Sequence, residues 1–370
     1  MKKICCIFNY PPHYRKNIYQ LMDRELNCDF YFGENVPGTL KKMDCSILKG
    51  FRSFFKNKIY KSKIIWQCNT LKLLFDKHYD TYILSVDTAC ISEWFFLYLA
   101  KIIGKRTFLW THGWYGNESF FSRIRKKTFY YPSTGLLLYS NYAKQLLIKQ
   151  GLPKNKLYVI ANSLDYDKQK EIQKSLQKET IYQEQFGNNN PVILFIGRLE
   201  PKKKLSNILA AIKLLKEKSI FINCIFIGEG SDKENLKNIA QQLELTNSVW
   251  FYGACYDEIK IASLIYNSDI CLSPGNVGLT SIHALTFGTP VITHNNFCNQ
   301  MPEFEAVEEG ATGLFFKEGD INDMVQTIEQ WLNQHPHKTP ELIKNCYRII
   351  DEKYNPHYQM EIIKQAIKIL

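Results

Sequence analysis

Short apolar segments alternate with helical patterns along most of the 370-residue chain, and this alternation constrains the fold more than any other feature. In the first half the apolar segments are KKICCIF, CDFYFG, TYILSV, RTFLWTHG, GLLLYS and LYVIANSLD, with helices expected at Lys16–Glu25, Trp94–Ile103 and Asn141–Gln150. PVILFIGR begins a second series of the same kind, which runs to TGLFF. Buried strands that alternate with helices form a mainly parallel sheet covered on both faces. The fold class is therefore α/β.

Two domains of ordinary size are expected, because one hydrophobic core rarely grows beyond about 250–300 residues. Between the two series, residues 163–190 are polar, rich in lysine and glutamine, and end in Gly-Asn-Asn-Asn. The pattern predicts a first domain over residues 1–165, a linker over residues 166–190 with a helix around Lys168–Gln185, and a second domain over residues 191–350.

Cysteine usage and the N-terminus indicate a protein made and kept in the cytosol. The eleven cysteines are scattered without paired CxxC spacing. This favours reduced, buried thiols over a disulfide framework or a zinc site. The first apolar run stops at Asn9 before a double proline, and no apolar stretch approaches the roughly 18 residues of a membrane span.

The net charge of +11 is concentrated in the first half. Residues 1–180 carry 30 Lys and Arg against 14 Asp and Glu, and the densest clusters are Lys49–Lys63 and Ser122–Lys127. Three interpretations stay open: a solvated face, a surface for anionic membrane or lipid phosphate, and a nucleic-acid surface. The last is disfavoured because the chain has no recognisable nucleic-acid-binding module.

Cations and glycines collect where the strands of the second half end. PVILFIGR ends in Gly197 and Arg198, and Lys203 follows at the start of the next helix. Two fixed cations beside a helix N-terminus suit a diphosphate, although a solvated basic turn is the alternative. FIGEG places Gly228 and Gly230 at a strand-to-helix turn, where glycine permits close approach of a ligand or only a tight turn.

The segment SPGNVGLTSIHALTFGTPVI predicts a strand end, an unusual turn and a short helix. Gly275 and Gly278 allow the turn, and Leu279–Phe287 is expected to form a helix closed by a glycine. The amides of Val277–Thr280 would face the ligand, where the helix dipole favours an anion by about 0.3–2 kcal/mol. The two cations would supply much of the remaining attraction.

In this order and spacing, GRLEPKKK, IGEG, FYG, SPGNVGLTSIHALTFGTPVI and EEGATGLF resemble the nucleotide-sugar half of the retaining family 4 glycosyltransferases, which have the GT-B fold. The first half resembles the family only in WTHG and ANSLD. The resemblance implies two Rossmann-like, doubly wound domains that face each other across a cleft. It also implies that a last helix, Pro356–Ile369, crosses back onto the first domain. Residues 356–370 would therefore belong to that domain.

The resemblance assigns roles to individual residues. Arg198 and Lys203 would neutralise the donor diphosphate and the leaving group. His112 would face the donor sugar from the first domain, unless it only caps a strand–loop junction. The residues implied to bind the donor are Gly197, Gly228, Glu229, Phe251, Tyr252, Asn276, Val277, Gly278, Leu279, Thr280, His283 and Glu305.

The sequence departs from the family at a pair of glutamates that normally stand eight positions apart. Aligned on Gly278, these positions hold Gly275 and His283, and neither is acidic. Neutral His283 can exchange one hydrogen bond with a ribose hydroxyl, although packing on the buried face of its helix is the alternative. Glu303 or Glu305 could also hold the ribose, and Glu305 aligns better with the family.

At the N-terminus, NYPPHYRKNIY replaces the glycine-rich loop that the family carries after its first strand. A double proline stiffens the turn, which would place His13, Tyr14 and Arg15 on the acceptor side. The alternative interpretation, that this segment is only a packed aromatic turn, agrees equally well with the sequence.

The implied function is transfer of a hexose-type sugar from a nucleoside diphosphate donor to a glycan or lipid-linked saccharide, with retention of configuration, in polysaccharide, O-antigen or capsule biosynthesis. Neither a metal nor a cofactor is expected, and UDP-sugars are favoured over GDP-sugars as substrate. The basic first half would rest on an anionic membrane, at the inner face of the plasma membrane, or hold a polyprenyl diphosphate-linked acceptor. Alternatives are a nucleotide-sugar epimerase or sugar phosphorylase of the same fold, and a non-catalytic partner subunit.

Overall fold

A computed structural model describes residues 2–34, 41–60 and 64–368. The chain divides into two compact units. The first takes in Met1–Leu164 and Asn355–Leu370, and the second takes in Asp165–Tyr354. Ile369, at the end of the expected last helix, and Lys61 and Lys63 of the first basic cluster lie outside the described residues.

The first unit is built on a seven-stranded, wholly parallel sheet. The strands of this unit are β1 (Lys3–Phe8), β2 (Cys28–Gly33), β3 (Phe51–Phe55), β4 (Asn57–Tyr60), β5 (Ile64–Gln67), β6 (Tyr79–Ser85), β7 (Arg106–Thr111), β8 (Gly135–Leu138) and β9 (Leu157–Val159). The sheet order is β3-β2-β1-β6-β7-β8-β9, while β4 and β5 form a separate antiparallel pair.

Helices cover both faces of the first sheet. They are α1 (Lys16–Leu26), α2 (Ile91–Ile102), α3 (Phe120–Tyr130) and α4 (Asn141–Lys149). Alternate side chains of β1 enter two different apolar cores, with Phe8 on the side of α1 and Ile7 on the side of α2. Because successive side chains of a strand point to opposite faces, a strand buried on both faces is apolar throughout. This explains the continuous apolar run of KKICCIF.

The second unit repeats the architecture with a six-stranded parallel sheet of order β12-β11-β10-β13-β14-β15. Its strands are β10 (Val192–Ile196), β11 (Asn223–Ile227), β12 (Val249–Gly253), β13 (Ile270–Ser273), β14 (Val291–His294) and β15 (Gly313–Phe316). Its helices are α5 (Tyr166–Gln173), α6 (Ile181–Phe186), α7 (Ser206–Glu217), α8 (Lys233–Gln242), α9 (Glu258–Asn267), α10 (Leu279–Thr286), α11 (Ile321–Gln334) and α12 (Pro340–Glu352). The α/β prediction with two parallel sheets is confirmed.

The segment expected to be a linker, residues 166–190, packs within the second unit. It contains two short helices, α5 and α6, instead of one helix over Lys168–Gln185. The buried Tyr182 hydroxyl lies 2.8 Å from the Leu264 carbonyl oxygen and 2.9 Å from the Ser268 hydroxyl. These contacts anchor the segment on α9, which its polar composition did not indicate.

The last helix, α13 (Pro356–Lys368), belongs to the first unit and packs on α1. Met360 and Ile363 enter the core on the side of α1. The buried Gln359 side chain accepts a hydrogen bond from the Ser163 hydroxyl (2.6 Å) and donates one to the Ala161 carbonyl (2.9 Å). Polar contacts as well as apolar ones therefore fix the end of the chain on this unit.

Two further observations concern sulfur and membranes. All eleven cysteines are free, and eight of them are buried. Over residues 2–34, 41–60 and 64–368, no helix combines the length and the apolar character that a membrane span requires.

The Gln359 contacts yield a stability prediction. Gln359→Leu leaves a buried hydroxyl and a buried carbonyl without partners, so the free energy of unfolding should fall by about 2–4 kcal/mol. The control is Gln365→Leu on the exposed side of the same helix, with an expected change within about 0.5 kcal/mol. Urea unfolding measures both variants, and equal effects would contradict the assigned role.

Candidate functional site

The second unit brings several predicted site residues to one edge of its sheet. Strands β10 and β13 are parallel neighbours, with Ile193 paired to Ile270 and Leu194 to Cys271. Their carboxyl ends therefore meet, together with the loops that follow them. In open α/β sheets this edge is where ligands bind.

Lys203 is the centre of this arrangement. Its ammonium donates hydrogen bonds to the Asn276 carbonyl oxygen (2.7 Å) and to the Asn276 side-chain oxygen (2.9 Å). Burial, and then the charges of Lys202 and Arg198, lower the pKa of Lys203 to about 8. The site therefore holds a cation in surroundings that disfavour it until an anion arrives.

Gly275 lies where two loops of the site pack closely together. Its amide donates to the Lys203 carbonyl oxygen (3.0 Å). A Cβ atom at Gly275 would lie 2.5 Å from the Lys202 carbonyl oxygen and 2.8 Å from the Lys203 Cα. The two loops therefore pack backbone against backbone, which leaves no room for any side chain at this position.

The N-terminus of α10 supplies fewer amides than the sequence indicated. The Val277 amide is committed to the side-chain oxygen of buried Gln300, 2.7 Å away, so the expectation that it faces a ligand is wrong in this structure. Leu279 and Thr280 begin the helix, where amides have no intrahelical acceptor. The Thr280 hydroxyl donates to the Ile196 carbonyl oxygen (2.9 Å) and ties the helix to β10.

Arg198 lies at the rim of the same edge. Its guanidinium forms an ion pair with Glu200 (2.9 Å), and Lys202 pairs with the same carboxylate (2.8 Å). The Arg198 side chain is 54% exposed. A carboxylate that spans two cations positions Arg198 without burying it, so the guanidinium stays accessible to a second anion.

The glycines at the ends of β10 and β11 are required by their backbone conformation, and Gly228 is required by packing as well. Gly197 and Gly228 have φ values of 148° and 147°, a region that favours glycine. A Cβ at Gly228 would overlap the Gly197 carbonyl oxygen. The tight-turn interpretation is therefore sufficient for Gly228, and neighbouring Glu229 is engaged by Lys233 (2.7 Å).

The two aromatic residues expected to border the nucleotide base, Phe251 and Tyr252, lie on different faces of the sheet. Phe251 and Tyr252 are consecutive in β12, so their side chains point to opposite sides of the sheet. Phe251 stacks on Phe226 with ring centroids 5.3 Å apart, and the Tyr252 ring lies 5.0 Å from that of Trp250. The two rings therefore do not line one surface.

His283 is held by a carboxylate that the sequence did not single out. Its Nε2 lies 2.9 Å from a Glu258 carboxylate oxygen, which also accepts from the Gln169 amide (2.8 Å). Burial alone would raise the pKa of Glu258. The hydrogen bond and charge of His283, with the hydrogen bond from Gln169, outweigh this effect and lower the pKa of Glu258 to about 2. The pair joins α10 to α9.

The structure separates the two candidate ribose glutamates. Glu305 forms an ion pair with Lys353 (3.2 Å), and both side chains are mostly buried. The charge of buried Glu303, by contrast, raises the pKa of Lys203, which places Glu303 beside the cation cluster. Glu303 is therefore the acidic neighbour of this edge, although Glu305 aligned better.

Predicted residues of the first unit lie at the carboxyl ends of β1 and β7. His13, Tyr14 and Arg15 form one 3-10 turn, with His13 exposed and Arg15 partly buried. His112 follows β7, and its ring packs 4.7 Å from that of Tyr139. Burial, and then the charges of Arg15 and Lys126, lower the pKa of His112 to about 4.

Comparison with known proteins finds a family match within the second unit. Residues 177–348, which contain Lys203, Asn276 and α10, match the family of glycosyl transferases group 1. The match covers just under half of the chain, and it shows that this segment is similar to that family.

Relatives that match part of the chain include proteins of several bacteria. An uncharacterized 41.2 kDa protein in the cps region of Klebsiella pneumoniae is 25% identical over 222 residues, which are 57% of each chain. An uncharacterized glycosyltransferase of Haemophilus influenzae is 29% identical over 172 residues, which are 45% of each chain. The matches thus span about half the length of these curated relatives.

Solved glycosyltransferases resemble the whole chain in fold. HepE of Anabaena in complex with UDP has a TM-score of 0.74 at 17% identity and covers 100% of both chains. The lipopolysaccharide outer core galactosyltransferase WaaB has a TM-score of 0.73 at 17% identity and covers 99% of both chains. The expected GT-B fold is confirmed.

The close packing at Gly275 yields a second prediction. Gly275→Ala forces the two site loops apart and should lower the free energy of unfolding by about 1–3 kcal/mol. The matched control is Gly278→Ala, whose new methyl group would meet nothing nearer than Met301 Cγ at 3.8 Å. Thermal unfolding of both variants tests this, and a Gly275→Ala variant as stable as the control would refute the steric account.

Proposed function

We propose that the protein is a glycosyltransferase that moves a hexose-type sugar from a nucleoside diphosphate donor to a hydroxyl of a glycan or lipid-linked saccharide. The observation that carries the proposal is the Lys203 ammonium, held against Asn276 next to the N-terminus of α10. An ammonium has three N–H donors, and two of them go to Asn276. The third is left for a phosphate oxygen of the donor.

The leaving group determines what this edge must do. When the sugar departs, negative charge develops on the diphosphate, and preorganised cations and amides stabilise that charge. Lys203, Arg198 and the first amides of α10 have the chemistry for this role. Catalysis then rests on electrostatic stabilisation and on orientation of the two substrates.

Retention of configuration and metal independence follow from the family resemblance. In the front-face route the departing diphosphate itself helps to take the proton of the acceptor hydroxyl. That route needs no catalytic carboxylate on the protein, which agrees with the absence of acidic residues at Gly275 and His283. His112 would contact the donor sugar through Nε2 of a neutral imidazole, which leaves Nδ1 for a second ligand.

The donor and the pathway are proposed from named relatives. HepE of Anabaena has structures with UDP and with UDP-glucose, which favours a UDP-sugar over a GDP-sugar here. The relatives include the cps-region protein of Klebsiella pneumoniae and the putative glycosyltransferase EpsD of Bacillus subtilis. We therefore place the reaction in polysaccharide, O-antigen or capsule biosynthesis.

Membrane contact through the first unit is part of the proposal. Among the described residues, fifteen of the eighteen exposed large apolar side chains belong to this unit. On α3, Phe120 and Phe121 are 70% and 81% exposed beside exposed Arg123 and Arg125. Aromatic and basic side chains on one helix suit the surface of an anionic membrane, here the cytoplasmic face.

A non-catalytic partner subunit is the second candidate. The replacement of both family glutamates by Gly275 and His283 favours it. Calorimetry with UDP and GDP separates the two, because a subunit without donor binding would show no heat with either nucleotide.

Loss of either cation should disable the enzyme. A screen of UDP- and GDP-sugars for hydrolysis identifies the donor, after which Arg198→Ala and Lys203→Ala should each lower turnover by about 10²-fold or more. Lys213→Ala is the control, since that side chain lies in the middle of α7 and pairs with Glu217 (4.0 Å). Near-normal turnover in both test variants would reject the assignment.

The low pKa of Lys203 gives donor binding a pH dependence. The ammonium is present below about pH 8 and is lost above it, so UDP affinity should fall as pH rises through that value. Lys203→Arg keeps its charge at every accessible pH, and its UDP affinity should be flat over the same range. Calorimetry at several pH values decides the point, and equal slopes for the two proteins would contradict it.

A further inference from the structure

We infer that Arg15 and His112 form an oxyanion subsite in the first unit that recognises a phosphate or carboxylate group of the acceptor. The acceptor role rests on the proposed function. The subsite itself rests on two nitrogen atoms, Nε of Arg15 and Nδ1 of His112, which are buried without a hydrogen-bond partner.

Arg15 is surrounded by aromatic rings and not by acids. Its guanidinium carbon lies 5.0 Å from the ring centre of Trp110 and 5.8 Å from those of Tyr14 and Tyr139. The guanidinium donates to the hydroxyls of Tyr19 (3.3 Å) and Tyr139. Throughout the part of the chain that the structure describes, Arg15 forms no ion pair.

A partly buried guanidinium without a counter-ion is costly. Removal of a charge from water is repaid only by an opposite charge, by complete hydrogen bonding or in part by aromatic faces. Around Arg15 the aromatic faces are present, but the opposite charge and the bond to Nε are not. A bound oxyanion would supply both, and the planar guanidinium suits a phosphate or carboxylate in two-point contact.

His112 places a second donor beside the same ring. Its ring centre lies 4.7 Å from that of Tyr139, the residue that Arg15 also contacts. A neutral imidazole can donate one hydrogen bond, and Nδ1 has no acceptor within the protein. Helix α1 begins immediately after Arg15 and has no acidic residue in its first turn, so its dipole adds attraction for an anion.

The acceptor is the source of the anion that we favour. The donor diphosphate already has its own cations in the second unit, Arg198 and Lys203. The first half of the chain carries the excess of basic residues. A lipid-linked acceptor contributes a diphosphate and an acidic sugar contributes a carboxylate, and Arg15 and His112 would hold either group by the same contacts.

The test uses inorganic pyrophosphate as the probe at constant ionic strength. The full chain carries Arg198→Ala and Lys203→Ala, so that the second unit lacks the two cations proposed to hold a diphosphate. Calorimetry should still detect pyrophosphate binding, and adding Arg15→Met should weaken it about tenfold or more. Arg24→Met is the control, because Arg24 lies on the same helix with its side chain 70% exposed.

Stability distinguishes a binding role from a structural one. If Arg15 is kept for a ligand, Arg15→Met removes an uncompensated charge and the melting temperature without pyrophosphate should hold or rise. A lower melting temperature together with unchanged pyrophosphate affinity would overturn the proposal.

A wild-type measurement keeps the test decisive even if Arg15→Met does not fold. The ring signals of His112, assigned with His112→Phe, should shift when pyrophosphate is added to the protein with an intact Arg15. Absence of that shift would overturn the subsite. Failure of UDP binding by the wild-type protein would instead count against the proposed function, so the two failures are distinguishable.

Nucleotide affinity separates the two sources of the anion. UDP affinity is measured with Arg15→Met in an otherwise wild-type chain. The loss of UDP affinity should be smaller than the loss of pyrophosphate affinity that Arg15→Met causes in the chain that carries Arg198→Ala and Lys203→Ala. An equal loss of UDP affinity would assign the subsite to the donor diphosphate and overturn the acceptor assignment.

Discussion

The capture of the Lys203 ammonium by Asn276 is the interaction on which the candidate site depends. It joins the loop after β10 to the loop after β13, and Gly275 lets the two backbones touch. The cost is a partly buried cation whose pKa is lowered to about 8. A site built in this way is preorganised for an anion, because the arriving ligand relieves an existing electrostatic penalty and does not have to create order.

The same contact explains why position 275 holds a glycine. A glutamate at position 275 would collide with the segment that carries Lys203, so close packing of the loops and an acidic side chain are alternatives at this point. At position 283 the histidine is held by Glu258 from the neighbouring helix α9. The acidic partner of this position therefore lies on another helix, while the cations and the helix N-terminus lie at the sheet edge.

Sequence patterns predicted the architecture because doubly buried strands such as β1 and β10 are apolar throughout. They missed β3, an edge strand whose central residues Arg52–Phe54 are exposed and show no alternation. In the site, the sequence identified Lys203 and the start of α10, because the carboxyl ends of parallel strands lie at the same edge of a sheet. The contact of Val277 with Gln300 and that of His283 with Glu258 join residues 23 and 25 positions apart, which local spacing does not encode.

The most direct test of the account is a crystal structure of the protein soaked with UDP. The diphosphate should lie within hydrogen-bonding distance of the Lys203 ammonium and of the amides of Leu279 and Thr280, with the Lys203 contacts to Asn276 preserved. Phosphates bound at any other part of the chain would contradict the central claim.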